Sequence, residues 1–156
     1  MLGSPEHVVP LLRTTPLASN VSVTRTIGIL GGVLSIPSAG VTVVVPALAM
    51  TSSRTLTMTA MAGSNLAYEF QPSGLHFNLP LVMTQNLTNT QAAPGGMVNP
   101  LSLFVGYFPN STDPTQVTEE LGVGVTLQPL VGVTTIWHFS GYIFAGARDD
   151  SSDGAY

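Results

Sequence analysis

The chain alternates short apolar stretches with turns, and the period of the alternation is that of strands. Between residues 55 and 61, Leu56, Met58 and Ala60 interleave with Thr55, Thr57 and Thr59, the two-residue repeat of a half-buried strand. Val41, Val43 and Val45 form another, and Pro46 ends it, because proline brings no N–H to a central ladder. Ahead of these, Val21, Val23 and Ile27 mark a strand, and Gly31-Gly32 turns the chain into the next, where Leu34 and Ile36 face inward. Further strands are predicted over 67–70, 79–84, 101–108, 122–127, 131–139 and 142–145, divided by turns such as Gln71-Pro-Ser-Gly74. Residues 86–99, with Pro94-Gly95-Gly96, carry no pattern and read as an exposed loop, and 113–120 as a polar loop or single helical turn. No segment sustains helical spacing over three turns. The pattern therefore predicts an all-β chain, an antiparallel β-sandwich of about 8–10 short strands.

Residues 1–20, punctuated by Pro5, Pro10 and Pro16, read as a flexible leader, 21–147 as the sandwich, and 148–156 as a flexible acidic tail. The last long strand holds the only tryptophan. Simple alternation puts Thr135, Trp137 and Phe139 on its core side and Ile136, His138 and Ser140 on the other.

Composition narrows the function. A chain of 156 residues is one domain by length, and it buries roughly 70% of its unfolded surface. It has no cysteine, which excludes disulfides and thiolate metal sites. Its only cations are Arg13, Arg25, Arg54 and Arg148, against a formal net charge of −4. Nucleic acid is not expected as a partner, since phosphate neutralisation needs clustered cations, and a polybasic membrane patch is absent. Mean hydropathy is +0.38, yet the apolar stretch 41–50 is broken by Thr42 and Pro46 and falls short of the ~20 residues that span a bilayer, so membrane insertion is not expected. The first sixteen residues lack the apolar run of a signal peptide. Low charge, the lack of lysine and Thr/Asn-rich loops lean toward an exported or cell-envelope protein whose signal lies outside this stretch. Glycosylation triplets at Asn20, Asn86 and Asn110 are what chance supplies in such a sequence.

Three segments, in order, resemble a known family. Residues 31–49, GGVLSIPSAGVTVVVPALA, resemble the opening of the ZU5 domain of ankyrins, netrin receptors and zonula occludens scaffolds: a double glycine, a strand, a glycine turn, then an apolar strand ending in Val-Pro. Residues 68–81, YEFQPSGLHFNLPL, resemble its central segment, and His138-Phe-Ser-Gly-Tyr142 its closing strand. The likeness spans about 23 to 147. It implies a β-sandwich that serves as a protein-interaction or structural module, with no cofactor. The death domain and ankyrin repeats that accompany it in animals are absent, so partners of those larger proteins do not carry over.

The same likeness raises a chemical alternative. Some animal relatives, and a nuclear-pore protein of different fold, cut themselves between the Phe and Ser of a His-Phe-Ser step. Here the residues are His138, Phe139 and Ser140. Ser140 Oγ would attack the Phe139 carbonyl, and water would hydrolyse the resulting ester. His138, two residues back on the same predicted face, would serve as the base, and Gly141 would permit an unusual backbone. Cleavage over hours needs a barrier of about 23 kcal/mol. A positioned base supplies roughly 10²–10⁴-fold and backbone distortion about 1–3 kcal/mol per feature, so local strain decides. The plain alternative is a final strand with Phe139 in the core and His138 near the rim.

Other chemistry is weakly marked. No Gly-x-Ser-x-Gly elbow is present. His7, His76 and His138 lack ligand spacing, so no metal is expected, and His76 reads as a turn residue. Asp149, Asp150 and Asp153 lack the downstream glutamate of a calcium loop, and Glu119-Glu120 reads as a solvated pair. Tyr68, Phe104, Tyr107 and Phe108 read mainly as core. The expected function is thus a non-enzymatic interaction module with a protein partner, and the alternative is a domain that cuts its own Phe139–Ser140 bond once.

Overall fold

The computed structural model describes residues 6–148. The first half contributes β1 (Glu6–Pro10), β2 (Leu12–Leu17), β3 (Val21–Ile27), β4 (Gly32–Ile36), β5 (Val41–Val45), β6 (Arg54–Ala60) and β7 (Gly63–Asn65). The second contributes β8 (Ala67–Gln71), β9 (His76–Asn86), β10 (Phe104–Phe108), β11 (Gln116–Val117), β12 (Glu119–Gly122), β13 (Gly124–Leu127), β14 (Leu130–His138) and β15 (Gly141–Arg148). Single 3-10 turns cover Pro37–Ala39 and Pro100–Ser102. The protein is an all-β sandwich of antiparallel sheets, as the alternation predicts. Among the described residues no helix is long and apolar enough to cross a membrane.

One sheet runs β13-β14-β9-β5-β4. The other runs β11-β1-β15-β8-β6-β3, with β10 on the opposite side of β15 and β12 beyond it. Between them lies the main core. Val41, Val43 and Val45, Leu81 and Met83, and Ile136 face Leu56, Met58, Tyr68, Phe70, Tyr142 and Phe144. Strand β15 is apolar on both faces for a reason. Tyr142 and Phe144 point into this core, whereas Ile143 and Ala145 join a second cluster with Val8, Ala67, Phe108 and Val117, enclosed where β11 returns to pair with β1.

The outward positions of β3 and β6 form a ladder of paired hydroxyls: Ser22 with Thr59 at 2.7 Å, Thr24 with Thr57 at 2.9 Å, and Thr26 with Thr55 at 3.1 Å. This explains the threonine alternation, because each hydroxyl meets one directly across the strand pair.

Several expectations are corrected. The segment read as a flexible leader supplies β1, which pairs with β11 and β15, and β2, which pairs with β7. Its prolines hid these strands, since Pro10 sits at a register shift and Pro16 on a short edge strand. Residues 1–5 lie outside the described residues, as does the acidic tail from 149 onward, with the aspartates weighed for calcium. Arg148 is the last residue of β15. Within 113–120, Gln116–Val117 form β11 and Glu119 and Glu120 begin β12. The unpatterned 86–99 is pinned to β2, where Thr14 N–H donates to the Asn89 carbonyl and Gln91 N–H to the Leu12 carbonyl.

Candidate functional site

His138 ends β14 in one sheet and Gly141 begins β15 in the other, so Phe139 and Ser140 are the crossing between the two layers. The crossing is prepared by an irregularity. Ile136 pairs with Leu81, but the next pair is His138 with His76, so residues 77–80 of β9 stand opposite Trp137 alone. Pro80 cannot donate to the ladder, and Asn78 N–H turns away to the Ala49 carbonyl.

The predicted facing of this strand is corrected: its buried positions are Leu130, Gly132, Thr134 and Ile136. Trp137 is 51% exposed, while Ile136 is buried. Phe139 is fully buried even so, because it comes after the strand has left its ladder. Its ring lies 5.0 Å from Phe70 and, edge-on, 4.9 Å from Phe77, a spacing that suits aromatic pairs.

The carbonyls of the crossing and the Phe139 N–H are engaged. Phe139 N–H donates to the Leu75 carbonyl at 2.8 Å, and Gly74 N–H donates to the Phe139 carbonyl at 2.9 Å. The Ser140 carbonyl accepts from Phe70 N–H, and the His138 carbonyl from the Tyr142 hydroxyl at 2.6 Å. Gly74 holds φ +83°, which lets the 72–75 turn aim its N–H at that carbonyl. Neither Phe139 nor Ser140 has positive φ. Gly141 serves a purpose other than the expected unusual backbone: the Phe108 ring fills the space where its side chain would be.

Around His138 the fold gathers groups that are far apart in sequence. Its ring lies 5.2 Å from Tyr107, edge-on, 5.5 Å from His76 and 6.1 Å from Tyr142. Its Nε2 is 3.7 Å from Glu119 Oε1. The imidazole is therefore turned toward Glu119, and Ser140 is not among the partners of its nitrogen. Burial pushes the Tyr142 phenol well above its ordinary value, with the Glu119 charge adding to the shift. That phenol stays protonated and holds the His138 carbonyl. Among the described residues no three His, Cys, Asp or Glu side chains are grouped to hold a metal ion.

Local spacing gave no sign of His76, Tyr107 or Glu119 beside His138; only the β9–β14 and β10–β12 pairings bring them together. The Glu119-Glu120 pair is likewise partnered. Glu119 faces His138, and Glu120 takes two bonds from Arg148, Nε at 2.9 Å and Nη2 at 2.5 Å. Of the aromatics, Tyr68 and Phe108 are core, and Phe104 and Tyr107 are partly exposed.

A second feature needs no chemistry. The five strands of the smaller sheet contain no Asp, Glu, Lys or Arg. On its outer face Val33, Val44, Val82 and Thr135 stand side by side across four strands. The adjoining row is Ser35, Thr42, Thr84, Val133 and Gly124. Val33 and Val44 are each 40% exposed, and Trp137 continues the face along β14.

No protein-family model matches the chain, and no curated protein matches it.

Proposed function

We propose that this chain is a ZU5-like β-sandwich that works as a non-enzymatic interaction module, taking a protein partner on the outer face of its five-stranded sheet. The observation that carries the proposal is the uncharged row Val33–Val44–Val82–Thr135, which ends near an exposed tryptophan. A contiguous face of this kind, free of charge, is what partners cover, and tryptophan is the side chain most often found at the energetic centre of an interface. The three ordered segments at 31–49, 68–81 and 138–142 support the family reading. The test is affinity capture with the full chain beside Val44→Glu and Thr135→Glu, two outward substitutions that leave the fold's melting temperature unchanged. A partner retained by the wild type and lost by both variants supports the proposal. Capture of nothing, or equal capture by all three, overturns it.

The second reading is single-turnover cleavage of Phe139–Ser140, and the Gly74 N–H on the Phe139 carbonyl favours it. That donor would stabilise the oxyanion as Ser140 Oγ adds to the carbonyl carbon. The C–N bond would then break, the hydroxyl proton would pass to the Ser140 amine, and water would hydrolyse the ester. One such donor supplies about 10²–10³-fold, and His138 would have to leave Glu119 to act as base. The interaction reading stands first because it needs no rearrangement. Intact mass separates the two: a species ending at Phe139, abolished by Ser140→Ala, establishes processing, and full-length mass after long incubation at neutral pH removes it.

A further inference from the structure

At the far end of β9 from His138, a cavity of about 320 Å³ opens between β2, the 3-10 turn after β4 and the start of the 86–99 segment. Arg13 forms part of its wall and is only 8% exposed. It sits on β2 at a position that alternates with Leu11 and is bridged to Thr90.

A buried guanidinium is costly unless an anion accompanies it. Arg13 Nη1 donates to the Asn65 carbonyl at 2.5 Å and Nη2 to the Tyr68 hydroxyl at 3.3 Å, with its carbon 5.7 Å from the Tyr68 ring centre. These are neutral partners, and they engage two of its five N–H groups. Among the described residues no ion pair includes Arg13. Tyr68 cannot act as the counter-charge, because burial pushes its phenol well above the ordinary value. Its hydroxyl donates to Gln85 Oε1, and Gln85 Nε2 donates to the carbonyls of Ala39 and Asn86, so the neutral groups under the cavity satisfy one another. The cation is the one member whose charge no partner among the described residues matches.

We infer that this cavity is a carboxylate-binding site, with Arg13 as the planar fork that receives both ligand oxygens. The fork geometry suits a carboxylate. The stoichiometry favours a monoanion over a phosphate dianion, since the cavity offers one cation in a chain of net charge −4. Ser38, Asn86 and Asn89 add neutral polar groups at the wall, and Leu17 and Pro37 add apolar surface for a short hydrocarbon segment. The site is separate from the uncharged face and does not depend on that reading.

The test is a ¹H–¹⁵N titration of the full chain at constant ionic strength. The probes are sodium butyrate, inorganic phosphate, and a short apolar peptide with either a free or an amidated C-terminus. Saturable shifts at the amides of Gly40, Asn89 and Thr90 are expected with butyrate or the free-acid peptide, and not with phosphate or the amidated peptide. Butyrate alone identifies a small free acid as the source, and the peptide acid alone identifies a chain terminus. Arg13→Gln should weaken binding by at least about tenfold. Because Arg13 also holds Asn65 and Tyr68, a second variant guards the result. Ser38→Glu, at an exposed position of the cavity wall, leaves Arg13 in place and supplies a competing carboxylate, and it should weaken binding while the melting temperature holds. The inference is overturned if no carboxylate gives saturable shifts at those amides, if phosphate binds as tightly, or if Ser38→Glu binds as the wild type does.

Discussion

The ring of Phe108 occupies the volume that a side chain on Gly141 would need: a Cβ there would lie 2.1 Å from Phe108 Cε1 and 2.4 Å from Cζ. The two residues face each other across the β10–β15 pair, and Phe108 is itself 2% exposed, so its ring has nowhere to go. Gly141→Ala should therefore cost about 1–3 kcal/mol by overpacking, measured by urea unfolding. A double-mutant cycle with Phe108→Ala isolates the cause. Once the ring is removed, adding Gly141→Ala should cost clearly less than it does in the wild type. Equal costs in the two backgrounds would place the effect in the backbone instead.

How much of this was legible in the sequence depends on whether a residue's neighbours are local. Strands β5 and β6 announce themselves because each has one wet face and one dry face, and Leu56-x-Met58-x-Ala60 records that directly. Strand β15 reads as a plain apolar run because two clusters bury both its faces, which erases the alternation. The facing of Trp137 is obscured because Phe139, two positions on, is buried only after β14 has left its ladder, so the two aromatics do not share a face although their spacing says they should. The Arg13 cavity was invisible for a related reason. An arginine among prolines looks like surface until β2 docks against residues 86–99.

The reversed facing has a consequence for stability. Trp137 is half exposed and Phe139 is sealed between Phe70 and Phe77. Phe139→Ala should cost about 3–5 kcal/mol, whereas Trp137→Ala should stay within about 0.5 kcal/mol. Since Trp137 is the only tryptophan, its emission should be red-shifted and readily quenched by iodide in the folded protein. Blue-shifted, unquenched emission would contradict the exposed position and with it the proposed face.

Two buried phenols set an alkaline limit. Burial raises both Tyr68 and Tyr142 above the ordinary value of 10.0. The folded state keeps these protons at a pH where the unfolded chain releases them. Their contribution is thus complete below about pH 10 and is lost as pH rises toward the folded-state values, at about 1.4 kcal/mol per pH unit for each phenol. Absorbance at 295 nm should show a cooperative ionisation step above pH 10, coincident with loss of circular dichroism. Tyr68→Phe should remove part of that pH dependence. Non-cooperative ionisation of all the tyrosines near pH 10 would count against the burial.

Strand β3 closes the larger sheet with an unpaired edge, and one residue on it stands out. Arg25 lies opposite Leu56, on the face that Val23 and Ile27 turn to the core, yet it is exposed. A charge at an inward position on an edge strand is a device against edge-to-edge pairing, because a second sheet docking there would have to desolvate it. The neighbouring hydroxyl ladder gives no such protection, since paired threonines fit a flat added strand well. Arg25→Leu should leave monomer stability within about 0.5 kcal/mol while raising self-association relative to the wild type. Sedimentation velocity across a concentration series would read this, and Arg25→Lys should behave as the wild type. If Arg25→Leu associates no more than the wild type, some other feature guards the edge, and the inward charge is without that role.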